Sequence, residues 1–216
     1  WCIDNNVDII NMSFGLDEYS EILHSVIKKA YNEGILLVAA SGNDNRMQYP
    51  ARFKEVLSVG GVDKDLNRTY YSTETNSDVY APAEDCQTTG FVGSFAKSSG
   101  TSIAAAHVSG VAAAVKSIDI SMTNKKLMKI LKESTVKNSD KNGCYGIINY
   151  SNAVNIYLNT GTDEEDIMDI DDIEDSSNNE AYVNGSWSKD SWQNESSSNG
   201  TGHYSMINGL DTEYFA

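Results

Sequence analysis

An α/β fold built on a mainly parallel sheet is what the 216-residue sequence predicts. Three observations carry that prediction: short apolar runs rich in β-branched residues, a strand, helix and strand in close succession, and a later helix made almost entirely of small residues. The first run is residues 7–14, VDIINMSF, an apolar segment with a polar interruption that Gly15 closes; it suits a buried strand. Residues 18–32 then read as a helix, with Ile22, Val26, Ile27, Ala30 and Tyr31 at helical spacing and Gly34 as its stop. Residues 35–40, ILLVAA, form the next strand, and two strands separated by one helix are the pattern of a right-handed crossover in a parallel sheet. Residues 56–62, VLSVGGV, repeat the strand signal, and 78–81 give a shorter one before Pro82.

From Gly100 onward the chain changes character. Residues 101–118, TSIAAAHVSGVAAAVKSI, carry so few bulky side chains that a helix crowded on most sides and running through the core is expected. Thr123 caps a further helix, Asn124–Glu133, with Leu127, Ile130 and Leu131 on one face and lysines opposite. A short helix over 151–158 ends the body.

The formal charge of −15 is unevenly spread. Residues 1–158 hold 17 acids against 15 bases, whereas 159–216 hold 14 acids and a single base, Lys189. A near-neutral body, residues 1–158, followed by an acidic Ser/Asn-rich tail, 159–216, is therefore expected, and the tail is too polar to offset the entropy of ordering and should be disordered. Nucleic acid is excluded as a partner class because no dense basic face is available to displace counterions. The longest purely apolar run, 35–40, is far short of the ~20 residues that cross a bilayer, so a soluble protein with no membrane span is expected. Cys2, Cys86 and Cys144 are too widely spaced for a local metal site.

Candidate chemistry lies in three short segments. Ser99-Gly100-Thr101-Ser102 opens the small-residue helix, where a serine hydroxyl meets free backbone N–H groups and the positive end of the helix dipole. That setting favours an oxyanion, as an acyl-transfer nucleophile requires, although Gly-Thr-Ser before a helix is by itself more often an ordinary cap. Ala39-Ala40-Ser41-Gly42-Asn43 stands at the carboxyl end of a strand, the usual side for ligands in open α/β sheets, and Asn43 brings an amide donor. Asn11-Met12-Ser13-Phe14-Gly15 ends a strand likewise and offers backbone to an extended peptide.

In this order and spacing INMSFG, VAASGN and GTSIAAAHVSG resemble the substrate-binding strand, oxyanion segment and nucleophile motif of the subtilisin-like serine peptidases, the subtilases. Tyr49-Pro50-Ala51 with VLSVGGVD adds a fourth match, and Gly146-Ile147-Ile148-Asn149 resembles the end of the family's domain. The resemblance covers residues 1 to about 158 and implies the family's three-layer α/β fold. It assigns Ser102 as nucleophile and Asn43 as oxyanion donor, aided by the Ser102 N–H. It makes Ser13, Phe14 and Gly15 one wall of the primary specificity pocket and Ala40, Ser41 and Gly42 the other. Asp44 would set the pocket's charge preference, the loop 45–48 is shorter than in many relatives, and Ala106 replaces the proline usual before the motif histidine.

A subtilase also needs a histidine base oriented by an aspartate, both preceding the serine in the chain. His107 lies five residues past Ser102 on one helix, roughly 140° around it at ~3.6 residues per turn, and His24 reads as a surface histidine. The chain is therefore expected to be a C-terminal portion of the peptidase domain, inactive alone, with the aspartate and histidine upstream and a sheet edge prone to aggregation. The reading is a serine endopeptidase acting through an acyl-enzyme on polypeptide substrates, as a monomer; a non-catalytic, peptide-binding pseudopeptidase of the same fold is the alternative. No cofactor is required, and the resemblance allows structural calcium on backbone carbonyls around Ala51, Phe53 and Val56. It also implies an extracellular or cell-envelope location. Asn67-Arg68-Thr69 and three Asn-X-Ser/Thr triplets in the tail fit the glycosylation sequon without further support.

Overall fold

A computed structural model describes residues 1–73, 77–140 and 143–160. The acidic tail expected over 159–216 falls almost wholly outside the described residues, together with its three sequons and its aromatic residues. Asn159 and Thr160 belong to the last helix.

Four parallel strands form the frame: β1 (Ile9–Met12), β2 (Leu36–Ala40), β3 (Leu57–Val62) and β4 (Val79–Pro82). Every residue of β2 and β3 is buried, which is why both read as unbroken apolar runs rather than alternating ones. Helix α1 (Glu21–Asn32) links β1 to β2, starting where the Ser20 hydroxyl accepts the Leu23 N–H at 3.3 Å. Beyond the frame lie a hairpin of β5 (Cys86–Thr89) with β6 (Phe95–Ser98) and a second of β7 (Val136–Asp140) with β8 (Gly143–Ile147). Strand β8 joins the main sheet beside β4, giving the order β1-β2-β3-β4-β8-β7. The fold is α/β with a mainly parallel sheet, as expected. The two hairpins are additions that the sequence pattern does not announce: CQTT, FAKS and VKNSD are short and carry no apolar alternation, and CQTT and FAKS are largely exposed.

Helix α2 (Thr101–Lys116) packs against β1, β2, β3 and β4. Its Ala104, Ala105, Val108, Val111, Ala112 and Val115 are buried, but Ala106, Gly110 and Ala113 are exposed. The expectation of crowding on most sides is thus corrected: small residues let one face lie close to the sheet, while the outer alanines serve helix propensity. Helix α3 (Asn124–Glu133) is capped by Thr123 as expected, and buried Asn124 donates to the carbonyls of Tyr31 and Ile35. Helix α4 (Tyr150–Thr160) packs against α3 and α2. Strands β1, β2 and β3 and helix α1 are shorter than the expected runs, α1 beginning at Glu21 rather than at 18, whereas β4 keeps its expected length one residue further along.

Candidate active site

Strands β1 and β2 run parallel with Met12 opposite Ala39, so the segments that follow them leave the sheet side by side at its carboxyl edge. Helix α2 starts at the same edge, since the Gly100 N–H donates to the Ala83 carbonyl just past β4 at 2.7 Å. Gly100 adopts φ +141°, a region that side-chain-bearing residues rarely enter, and a Cβ there would stand 3.3 Å from Asn43 Nδ2.

Thr101 joins the two segments. It is fully buried, and its backbone N–H donates to Asn43 Oδ1 at 2.9 Å. Its hydroxyl accepts the Gly42 N–H at 3.2 Å and has Asn43 Oδ1 at 3.0 Å and the Gly42 carbonyl at 3.2 Å to donate to. With Oδ1 held this way, the Nδ2 end of the Asn43 carboxamide turns toward Gly100 and the start of α2. Ser102 follows in the first turn, among the N–H groups that a helix leaves without an internal partner. A hydroxyl, an oriented amide donor and a helix amino terminus are thereby brought to one place, the setting that stabilises negative charge developing on oxygen.

Ser102 is also gripped from β1. Its Oγ donates to the Ser13 carbonyl at 3.2 Å while Ser13 Oγ donates to the Ser102 carbonyl at 2.9 Å. Asn11 Nδ2 donates to Ser13 Oγ at 2.8 Å, and Asn11 Oδ1 accepts from Ser109 Oγ at 3.0 Å, so β1 is laced to two turns of α2. Thr101 and Asn11 lie inside the segments that the sequence singles out, but the sequence assigns neither of them a role. Adjacency to Ser102 would have pointed to Thr101; nothing in the sequence points to Ser109.

The wall residues divide. Phe14 is exposed, whereas Ala40 and Ser41 are buried, so their segment offers the cleft backbone rather than side chains. Gly15 and Gly42 both abut the Gln48 side chain: a Cβ on Gly15 would sit 2.1 Å from Gln48 Oε1, and one on Gly42 would sit 3.1 Å from it. Asp44 is not a free charge, because Arg46 Nη2 lies 3.1 Å from its Oδ2, with Asp17 Oδ1 at 3.8 Å from the same guanidinium nitrogen.

Neither described histidine is bonded to Ser102. His107 Nδ1 lies 3.2 Å from the Pro82 carbonyl, and burial pushes its imidazole below the usual histidine range. His24 is no simple surface residue: it stacks on Phe53 at 4.1 Å, and its Nε2 lies 3.2 Å from the buried carboxylate of Glu55. An amphipathic helix can hide one ring in this way because helical spacing alone does not say what a neighbouring loop lays against it. Around Ala51, Phe53 and Val56, the Phe53 carbonyl accepts the Val56 N–H at 3.0 Å. Among the described residues no group of three His, Cys, Asp or Glu side chains gathers as metal ligands, and no helix is long and apolar enough to cross a membrane.

The sequence model of the subtilase family, Peptidase_S8, matches residues 1–182. The thermostable alkaline protease of Halalkalibacterium halodurans is 39% identical over 137 residues, which are 62% of this chain and 38% of that protein. The minor extracellular protease Epr of Bacillus subtilis is 35% identical over 158 residues, 69% of this chain and 24% of the relative. The chain thus spans well under half the length of these curated relatives. Among solved structures, the prenylagaramide maturation protease PagA superposes with a TM-score of 0.66 at 28% identity, covering 71% of this chain and 63% of the other. A mutant protease domain of PatA gives 0.69 at 26% identity, over 75% and 64%.

Proposed function

Since the chain belongs to the subtilase family, we propose that the protein is a serine endopeptidase in which Ser102 attacks the scissile carbonyl of a polypeptide. The observation that supports this most is the junction of Thr101 with Asn43, which aims an amide donor at the start of the serine-bearing helix. In this reading Ser102 Oγ leaves the Ser13 carbonyl, loses its proton to an imidazole base and bonds to the substrate carbonyl carbon. Asn43 Nδ2 and the Ser102 N–H hold the resulting oxyanion. Collapse expels the amine, and water then hydrolyses the acyl-enzyme. His24 and His107 are both engaged elsewhere, so the base and its orienting carboxylate are assigned to residues other than those described.

The backbone of residues 13–15 and 40–42 receives the peptide as an added strand. Asp44 contributes little to charge preference because Arg46 offsets it. The acyl-enzyme cycle needs no cofactor, and calcium, if bound, has a structural part only. The extracellular name of one relative supports a location outside the cell or at its envelope. The acidic tail, 159–216, lies outside the catalytic unit in this reading.

A fluorophosphonate probe applied to the full-length protein tests the assignment. Covalent labelling that is abolished in Ser102→Ala is expected; equal labelling of both would refute the nucleophile. Labelling absent from both, with peptide binding retained, would instead favour the pseudopeptidase.

A further inference from the structure

Gly15 and Gly42, one in each of the two segments proposed to receive the peptide, both have the Gln48 side chain against them rather than open space. Gln48 reaches this position because its backbone is fixed to both walls. Its N–H donates to the Ser41 carbonyl at 2.9 Å, and the next residue, Tyr49, exchanges two backbone hydrogen bonds with Leu16 at 2.8 and 2.9 Å. The side chain then lies where a Gly15 Cβ would project: Oε1 would be 2.1 Å away, and Cβ and Cδ both 2.9 Å. It touches the opposite wall too, with Cγ and Oε1 each 3.1 Å from a Gly42 Cβ. The carboxamide is tethered at its far end, since Nε2 donates to Asp17 Oδ1 at 2.9 Å. Asp17 is in turn held near Arg46. With the nitrogen so engaged, the oxygen is the end turned to the glycines.

From this geometry we infer that Gln48 closes the floor of the pocket beside Ser102, so that the protein selects peptides with a small residue, Gly, Ala or Ser, on the acyl side of the scissile bond. The inference rests on the peptidase reading for the position of that bond, and on the two glycines and Gln48 alone for the shape of the floor. A long or aromatic side chain entering between Gly15 and Gly42 meets the carboxamide. To pass, it must displace Gln48 and leave Asp17 without its donor, while Oε1 offers a serine hydroxyl an acceptor. A single methylene too many for a hydrophobic pocket is discriminated against by a factor of about ten to two hundred.

The experiment uses the full-length protein and tetrapeptide anilides that differ only in the residue before the anilide: Ala, Ser, Leu or Phe. The expected result is kcat/KM at least tenfold higher for Ala and Ser than for Phe. In Gln48→Gly the Phe/Ala ratio should rise at least tenfold, and Gln48→Ala should give a smaller rise in the same direction. Asp17→Ala, which frees the carboxamide without shortening it, should raise the ratio severalfold. An unchanged ratio in both Gln48 variants, or a native preference for Phe, overturns the inference. In parallel, binding of the tripeptide acids ending in Ala or Phe is followed by calorimetry, which needs no turnover. If no anilide is cleaved but the Ala peptide binds at least tenfold more tightly and Gln48→Gly removes the difference, the peptidase reading fails and the pocket reading stands. If neither binding nor cleavage distinguishes Ala from Phe, the pocket reading fails whatever the catalytic outcome.

Discussion

The two sides that hold Ser102 are built from different materials. On the Asn43 side the contacts converge on Thr101, which is fully buried and places its donors within 3.0 Å of a single carboxamide oxygen. On the β1 side the contacts run through Asn11, Ser13 and Ser109, side chains at least partly in solvent, in a string of hydrogen bonds spread over several residues. A buried donor has no water to fall back on, whereas an exposed one exchanges its partner for water at small cost. In the proposed mechanism the first side therefore fixes where charge would be received, and the second only steadies Ser102. The asymmetry suits a step in which Ser102 Oγ must let go of Ser13 while Asn43 stays still.

Substituting Thr101→Val should break the comparison most sharply. The Asn43 carboxamide loses its hydroxyl partner, and kcat of the full-length protein should fall toward the ~10²–10³ loss known for removing such an oxyanion donor from a subtilisin. KM should change little; Thr101→Ser should restore most of the rate, and steady-state kinetics on one peptide substrate checks both. Asn11→Ala, on the exposed side, removes the hydrogen bonds to Ser13 and from Ser109; only the first steadies Ser102, at about 1 kcal/mol, so roughly a fivefold loss of kcat is expected. A loss as large as that of Thr101→Val would overturn the ranking.

A third difference is in pH response. Burial lowers the His107 pKa, so the folded state binds fewer protons there than the unfolded chain, in which the imidazole titrates near ~6.5. Stability is then unaffected above that pH and declines as acid charges the unfolded imidazole. Urea unfolding of the native protein and of His107→Gln between pH 7.5 and 5 should show a steeper acid loss in the native protein. The smallest effect belongs to Arg46→Ala, because the ion pair with Asp44 is exposed on both sides and such pairs contribute only ~0–1 kcal/mol. A change in urea midpoint equivalent to several kcal/mol would show that the rim is structural.

Legibility in the sequence follows the same division by burial. The strands β2 and β3 are readable because both faces are covered and every residue is selected for apolarity. The turns that carry Ser102 and Asn43 are readable because small residues and glycines mark them. The hairpin β5–β6 leaves no comparable trace, since an exposed ribbon is held by backbone hydrogen bonds to which its side chains are largely indifferent. His24 misleads for the converse reason: a polar residue on a half-exposed helix carries no mark of the Glu55 and Phe53 that another loop brings to it. Gln48 stands in a loop that the sequence marks only by position, and it is the bridge between Leu16 and Tyr49 that brings its side chain against Gly15 and Gly42.

The Ala83 carbonyl takes two donors, the Gly100 N–H and the Tyr71 hydroxyl, each at 2.7 Å. Burial raises the Tyr71 pKa, so the phenol remains a donor well into the alkaline range. A peptide group trapped between a core strand and a protonated phenol opens only when that part of the core opens. On the clock of amide hydrogen exchange, the turn that carries Ser102 should thus keep the slow time of the sheet, although its place in the chain is that of a loop.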